Sequence, residues 1–351
     1  PSTVTTIGVQ TFFGCHSLES IELPSDVESI GMNAFASNEN LSKITCHNEN
    51  PINITDNVFN GIASKAVLYV PAASIETYKA DDNWSKDFNE ILPIGMVEIA
   101  DGKAYTNKED QEVPMVRYTR TFSAAQKDKW QALYIPFSFN VADYAEDFDV
   151  AEIYAICPTK DTNGNGVVDA EDDKVMILSF VKNCDTQANA PYMIRPKKAA
   201  KVTIESENEL LHKATINSVE FSTSRTKYTV NGIYSTFVAT PGDHNYYMGG
   251  GKVSWATTAN ISVSPNRWYM HEESKSYIGN DTGIDSESKP ISIHVIGEDF
   301  DEATAIRLIN AEFDLSNSNT GIYNLNGMKM DEAGKLPRGI YIKKGKKMVI
   351  K

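Results

Sequence analysis

Residues near the start of the chain recur at a constant interval. Five matches share an offset of 23 residues: Ile7 with Ile30, Gly8 with Gly31, Phe12 with Phe35, Leu18 with Leu41, and Ile21 with Ile44. In a third, looser copy, Ile54, Phe59 and Leu68 follow Ile30, Phe35 and Ile44 by 24 residues. No single copy can bury its apolar side, so such copies stack and share one core.

Each copy contains one short segment with apolar side chains at alternate positions, the pattern of a strand with one buried face. The predicted strands are Leu18–Leu23, Leu41–Cys46 and Ala66–Val70. Pro24 and Pro71 stand at strand ends, where a missing N–H removes no ladder hydrogen bond. The pattern therefore predicts a short solenoid in the first segment of the chain, residues 1–95.

From Met96 onward the pattern changes to short runs rich in Val, Ile, Tyr and Phe, separated by Gly, Pro, Asn and Asp. The predicted strands are Val116–Phe122, Ala132–Phe139, Val150–Ile156, Tyr192–Arg195, Val202–Ile204, Tyr228–Val230, Tyr246–Met248, Val253–Ala256, Trp268–Met270 and Ile291–Ile296. Many short strands with turn residues between them predict an antiparallel β-sandwich-like domain over residues 96–296. The expected fold class is mainly β.

The last segment, residues 297–351, combines an acidic linker with a small C-terminal β-hairpin module. Gly297–Asn319 is the linker, in which Ile306–Ile309 is an alternative strand. The hairpin would use Gly321–Lys329 and Gly339–Ile350. Lysines in the second run suit a solvated edge strand, because charge there discourages pairing with another chain.

Composition narrows the class of function. The net charge of −14 argues against a nucleic-acid partner, since neutralising phosphates requires a basic face. No apolar run reaches the roughly 20 residues that span a bilayer. The sequence begins at Pro1 and shows no secretory signal peptide, so it does not decide by itself whether the protein is exported.

The first copy, Ile7–Pro24, has the pattern Ile-Gly-x-x-x-Phe-x-x-Cys-x-x-Leu-x-x-Ile-x-Leu-Pro, which resembles the BspA-like leucine-rich repeats of bacterial surface proteins. The second copy has Asn38 where the first has cysteine, and Tyr78–Ile94 is similar to the cap of such arrays. This resemblance covers about residues 5–95. It implies an extracellular or outer-surface location and non-catalytic adhesion to host or matrix proteins.

The C-terminal segment resembles the tails of many exported proteins of the Bacteroidetes. In some of those families the tail is a sorting signal. The alternative for this chain is an ordinary closing β-hairpin.

One local motif has the spacing of a calcium loop. Oxygen ligands stand at positions 1, 3, 5, 7, 9 and 12: Asp161, Asn163, Asn165, the Val167 carbonyl, Asp169 and Asp172. The loop resembles those of EF-hand and dockerin modules, and Gly166 falls at the sharp turn. Two asparagines reduce the ligand charge, so a structural Ca²⁺ would bind weakly, on the order of 10⁻⁴–10⁻³ M. The alternative is an Asn/Gly turn between strands.

Catalytic motifs are not supported. Asp281-Thr282-Gly283 spells an aspartic-protease triplet, but that chemistry needs a second carboxylate, and no second triplet exists. Gly249–Lys252 fails the spacing of a phosphate loop and favours a hairpin turn. The sequence has no HExxH pair and no GxSxG elbow. We therefore expect no enzyme activity.

The four cysteines, Cys15, Cys46, Cys157 and Cys184, form no CxxC pair. The repeats commonly bury small thiols, which would include Cys15 and Cys46. Cys157 and Cys184 flank the acidic loop, and they are either free or joined by a disulfide.

An aromatic group offers a second candidate ligand surface. Its members crowd a short stretch of strand-like sequence: Tyr246, Tyr247, Trp255, Trp268 and Tyr269. If exposed, they would form a stacking platform for sugar rings and favour an alternative function, glycan binding for surface polysaccharide capture. If buried, they belong to the core, the more common place for such residues.

The calcium hypothesis predicts that chelation lowers the melting temperature of the chain and raises protease cleavage within Asp161–Asp172. Calcium would neutralise and order this loop, and its removal would release the ligand carboxylates to repel one another. Thermal melts and limited digestion, with calcium and with chelator, measure both effects. Asp169→Asn should abolish the calcium response; an identical melt and digest in chelator would contradict the hypothesis.

Overall fold

The computed structural model describes residues 2–55, 57–158, 174–222, 226–256, 259–274 and 291–298, and the backbone of four strands between 322 and 350. The fold is mainly β, as expected. Two units are formed, the first by Pro1–Val97, Glu112–Arg117 and Glu207–Glu209, the second by Glu98–Gln111, Tyr118–Ser206 and Leu210–Lys351. The predicted segment boundaries after residues 95 and 296 stay a prediction.

Short parallel strands organise the first unit. They are β1 Thr6–Ile7, β2 Ser20–Leu23, β3 Ser29–Ile30, β4 Lys43–Cys46, β5 Val67–Val70 and β6 Glu90–Pro93. β1 pairs with β3, and the other four form a parallel ladder in chain order. A 3₁₀ turn at Ala72–Ser74 and the helices α1 Ile75–Ala80 and α2 Asp82–Ser85 precede β6. No helix in the described residues is long and apolar enough to cross a membrane.

Strand register confirms the repeat period. Ile7 pairs with Ile30 and Ile21 with Ile44, both at an offset of 23. Ile44 then pairs with Leu68 at the looser offset of 24. The ladder also contains a fourth strand that the sequence pattern did not predict, where Leu68 pairs with Ile91 within the expected cap.

A column of aromatic rings fills the core of the repeats. The rings of Phe12 and Phe35 lie 5.3 Å apart with 4° between their planes, and Phe35 and Phe59 lie 5.5 Å apart with 6°. Trp84 ends the column, tilted against Phe59 at 5.3 Å, and its Nε1 donates to the Ile52 carbonyl. Trp84 therefore closes the stack with a ring and satisfies its own donor.

Asn38 joins two adjacent copies. The buried side chain donates from Nδ2 to the carbonyls of Phe12, at 2.9 Å, and Phe35, at 2.8 Å. The equivalent residue in the first copy, Cys15, is exposed in a turn, so the expectation of a buried thiol there is wrong. Cys46 is buried as predicted, with Sγ 3.2 Å from the Tyr78 hydroxyl.

The remaining strands are longer on average than those of the repeats. They are β7 Val97–Ala100, β8 Gln111–Thr121, β9 Gln131–Leu133, β10 Phe148–Pro158, β11 Lys174–Val181, β12 Tyr192–Pro196, β13 Lys201–Leu211, β14 Ser218–Ser222, β15 Thr226–Ile233, β16 Phe237–Ala239, β17 Asn245–Gly249, β18 Lys252–Trp255, β19 Ile261–Val263, β20 Arg267–Ser274 and β21 Ser292–Val295. A 3₁₀ helix spans Val141–Tyr144.

Two five-stranded sheets in the second unit share one core. Their orders are β21-β11-β10-β12-β9 and β14-β15-β20-β17-β18. Ile153 and Leu178 of the first sheet belong to the same buried cluster as Val230 and Met270 of the second. Most pairs are antiparallel, but β11 and β21 run parallel. More than 100 residues separate these two strands, enough for the long connection that a parallel pair requires.

Several predicted strand limits are wrong in this unit. The predicted strand Ala132–Phe139 ends at Leu133, and Pro136 within that range has no N–H to donate to a ladder. Five strands were not predicted: Val97–Ala100, Lys174–Val181, Ser218–Ser222, Phe237–Ala239 and Ile261–Val263.

The C-terminal strands are β22 Ile322–Asn324, β23 Lys329–Met330, β24 Gly339–Lys343 and β25 Lys346–Ile350. They form an antiparallel sheet in the order β23-β22-β24-β25. The pair β22–β24 joins the two predicted runs, whereas β24 and β25 divide the second run into two strands, so four strands stand where a two-stranded hairpin was expected. The sorting-signal alternative stays a prediction. Residues 299–321, which contain most of the expected linker, lie outside the described residues.

Removing one ring from the aromatic column should destabilise the first unit. Phe35→Ala leaves a cavity between two stacked rings, and we expect a loss of about 3–5 kcal/mol in the free energy of unfolding. Urea unfolding, with hydrogen exchange read on peptides of the first unit, measures this loss. Phe13, the exposed phenylalanine that follows Phe12 in the chain, provides a control, because Phe13→Ala should change stability by less than about 0.5 kcal/mol. Equal effects of the two variants would contradict the core role of the column.

Candidate functional site

The ladder of the first unit presents polar side chains on its outer face. Along β2 and β4 the residues alternate between exposed or half-buried positions, such as Glu22, Lys43 and Thr45, and positions turned towards the core. Lys43 Nζ lies 4.9 Å from the centre of the Tyr69 ring on the next strand. Glu22 Oε1 lies 2.6 Å from His47 Nε2. This face offers charged, hydroxyl and aromatic groups at the spacing of adjacent strands.

An exposed apolar patch lies on the turns of the first two copies. Val9, Phe13 and Met32 form this turn patch, with exposed fractions of 61%, 49% and 49%. Val9 and Met32 occupy equivalent positions 23 residues apart, and the Gln10 N–H donates to the Met32 carbonyl at 3.0 Å. Gly31 allows this close approach, because a Cβ there would lie 2.4 Å from the Val9 nitrogen.

The predicted aromatic platform is wrong for two of its five members. Tyr246 and Trp268 are buried in the core of the second unit. Both find hydrogen-bond partners inside: the Tyr246 hydroxyl donates to Glu272 at 2.6 Å, and Trp268 Nε1 donates to the Tyr192 carbonyl at 2.9 Å. Burial of these side chains is favourable because the apolar ring leaves water while its O–H or N–H group keeps a hydrogen bond.

The other three aromatic residues do not share one surface. Trp255 is half-buried, pairs in register with Tyr246, and packs against the core. Tyr247 and Tyr269 pair with each other, so the alternation of a strand places both on the opposite face of the sheet. The Tyr269 ring stacks on Phe237 at 3.6 Å. Only Tyr247 and Tyr269 are therefore available together for a ligand.

A group of charged side chains lies within the second unit. Arg267 forms two hydrogen bonds with the Asp101 carboxylate, one of them 2.6 Å from Nη2 to Oδ2. Arg120 Nε lies 3.7 Å from the same Oδ2, and Arg120 Nη1 donates to the Ala132 carbonyl at 2.8 Å. The buried Tyr118 hydroxyl also donates to Asp101. Two guanidinium groups thus share one carboxylate.

The titration of this group follows from burial and charge. Burial alone would raise the pKa of Asp101, but hydrogen bonds and charge from Arg267, and the charge of Arg120, hold that pKa below its ordinary value. Burial, followed by repulsion from Arg267, lowers the pKa of Arg120 to about 10. All three groups are charged at neutral pH, which leaves the group with one excess positive charge.

The two arginines border a cavity of about 230 Å³. Its wall also includes Gln126, Gln131, Tyr247, Ser262 and Ser264, and none of its described lining residues is acidic. Gln131 is buried, and its Nε2 has no hydrogen-bond partner among the residues that the structure describes. Gly249 and Gly250, at the turn between β17 and β18, form part of the wall. This turn is the hairpin predicted in place of a phosphate loop, with φ of +62° at Gly250 and +81° at Gly251.

Other predicted sites remain untested. The calcium ligands Asp161–Asp172 and the triplet Asp281–Gly283 lie outside the described residues. Among the residues that are described, no group of three or more His, Cys, Asp or Glu could hold a metal ion. Cys184 is an exposed thiol, and the side chain of Cys157 lies outside the described residues, so the free-thiol and disulfide alternatives both stay predictions.

Comparison with known families agrees with the repeat geometry. Residues 1–80 of the 351 match the family model described as BspA type Leucine rich repeat region (6 copies). No curated protein and no solved structure matches the chain. Repeats of this type are generally non-enzymatic protein-interaction modules and typically occur in surface or secreted proteins. The match therefore identifies the class of the repeat region.

Replacing the shared carboxylate should destabilise the second unit. Asp101→Asn leaves two buried guanidinium groups facing each other, and we expect a loss of about 3 kcal/mol in unfolding free energy. Because the folded pKa of Asp101 lies below its unfolded value of about 3.9, its contribution is present above that pH and lost as pH falls through the folded pKa. The unfolding free energies of the wild type and the variant should therefore become equal as the pH falls below about 4.

Chemical unfolding between pH 2 and 7 measures this difference. Asp243→Asn removes an exposed carboxylate of the same unit, and it should leave stability nearly unchanged at every pH. A constant gap between wild type and Asp101→Asn across this range would contradict the electrostatic role.

Proposed function

We propose that this chain is a non-catalytic adhesion protein of the cell surface or the extracellular space, and that it binds host or matrix proteins through its repeat region. The observation that carries the proposal is the turn patch of Val9, Phe13 and Met32. Exposed apolar patches with polar residues around them commonly mark protein-interaction sites. Val9 and Met32 occupy equivalent positions in two stacked copies, so their spacing is set by the repeat itself.

The ladder face supplies the polar part of the proposed interface. Protein interfaces combine a central apolar cluster with a polar rim, and Tyr and Met are enriched at their centres. Lys43, Tyr69 and Glu22 offer charge and hydrogen-bonding groups at fixed spacing. The parallel ladder and the shared core of the two larger sheets support our assignment of a repeat solenoid followed by a β-sandwich-like domain. Calcium at Asp161–Asp172 is proposed only as a structural ion.

Glycan capture is the second candidate function. It rests on Tyr247, which borders the cavity of the second unit, and on its neighbour Tyr269. A glycan ligand would contact the second unit and not the repeats, so the two functions separate experimentally.

The test is an array of matrix proteins and glycans probed with the full chain, in calcium and again in chelator. We expect matrix-protein binding that weakens at least tenfold in the variant Val9→Ser/Met32→Ser, because each exposed side chain contributes apolar contact area. Ile216→Ser is the matched control, since Ile216 is equally exposed but belongs to the second unit. Matrix-protein binding that is unchanged in Val9→Ser/Met32→Ser would contradict the proposal. Glycan binding that is lost in Tyr247→Ala would favour the alternative.

A further inference from the structure

The cavity of the second unit is positively charged within a chain whose net charge is −14. Arg120 and Arg267 have side-chain exposures of only 3% and 16%, and within the described part of the chain Asp101 is the one carboxylate that pairs with them. Guanidinium groups withdrawn from water are costly unless each is paired. One positive charge in this group therefore lacks a counter-ion from the described residues.

The polar groups around the cavity are suited to a ligand with hydrogen-bond acceptors. Guanidinium groups bind carboxylates through paired N–H donors, and the unpartnered Gln131 Nε2 adds a further donor. Gln131 is held in β9, whose backbone pairs with β12, so this donor belongs to a rigid strand. The cavity volume of about 230 Å³ is below the roughly 300–1,000 Å³ of pockets for drug-sized ligands, so the ligand would be small.

We propose that this cavity binds the carboxylate of a small hydroxylated acid, of the size and chemistry of a single uronic acid. A carboxylate carries one negative charge, which matches the single excess positive charge of the arginine group. Ser262, Ser264 and Tyr247 supply hydroxyl groups that can pair with the hydroxyls of such a ligand. Phosphate monoesters carry nearly two charges at neutral pH and fit this balance less well.

This site is independent of the repeat-mediated interaction proposed above, and it deepens the second candidate, glycan capture, because both use Tyr247 and the same cavity. It uses none of the residues of the turn patch or the ladder face, and its ligand is a small molecule and not a protein. A chain that fails to bind matrix proteins can still bind the acid, and the converse holds as well.

Isothermal titration of the full chain with D-galacturonate and D-glucuronate tests the proposal, with D-galactose and D-glucose as neutral counterparts and sulfate as a simple anion. We expect saturable uronate binding with a dissociation constant of about 1 mM or tighter. Binding of the neutral sugars should be at least tenfold weaker, because they lack the group that pairs with the arginines.

Two variants locate the site. Ser262→Trp places a large side chain at the exposed rim and should weaken uronate binding at least tenfold, while Ser222→Trp, also at an exposed strand serine but away from the cavity, should not. Arg120→Met should also abolish binding, and its thermal melt shows whether the variant remains folded. The rim variant keeps the test decisive if Arg120→Met does not fold.

Absence of uronate binding to the wild-type chain overturns the proposal. Equal binding of neutral and acidic sugars, or uronate binding unaffected by Ser262→Trp, overturns it as well. Sulfate that binds while the uronates do not would replace the sugar acid with an inorganic anion and also contradict the proposal.

Discussion

The parallel register between successive copies is the constraint on which the first unit depends. Only when Ile7 lies beside Ile30, and Ile21 beside Ile44, do the phenylalanine rings of neighbouring copies come face to face. The same register brings the carbonyls of two copies within reach of the single amide of Asn38. The ring stacking and the hydrogen bonds to the two backbone carbonyls therefore both result from one strand register. A shift of that register by one residue would remove both.

The second unit depends on a different balance. Its two sheets bury ordinary apolar side chains, but at one point the unit also encloses the Asp101 carboxylate with two guanidinium groups beside it. These charges can be buried only because each oxygen of the Asp101 carboxylate accepts a hydrogen bond from an arginine or a tyrosine. The electrostatic character of the cavity follows from this arrangement, because a single carboxylate cannot neutralise two guanidinium groups.

The sequence allowed prediction where the determining contacts are local or periodic. The interval of 23 residues predicted the strand partners of the repeats, because one period sets both the pattern and the pairing. The fourth ladder strand was missed because Ile91 lies among cap residues that hide the period. The aromatic platform was wrong for Tyr246 and Trp268 because crowding in sequence does not distinguish the two faces of a strand, and Tyr246 and Tyr247 point to opposite sides. The cavity was missed because Arg120 and Arg267 are brought together only by the fold.

The change of offset from 23 to 24 residues has a further consequence. Ile21 and Ile44 keep the shorter spacing, while Phe35 and Phe59 keep the longer one, with the Phe35 N–H bonded to the Val58 carbonyl. The additional residue is accommodated after β4 and before Ile54, and the strands on either side stay aligned. Copies of unequal length can thus be duplicated and recombined, and their turns can diversify. Selection on the strands and the phenylalanine rings keeps the register between copies.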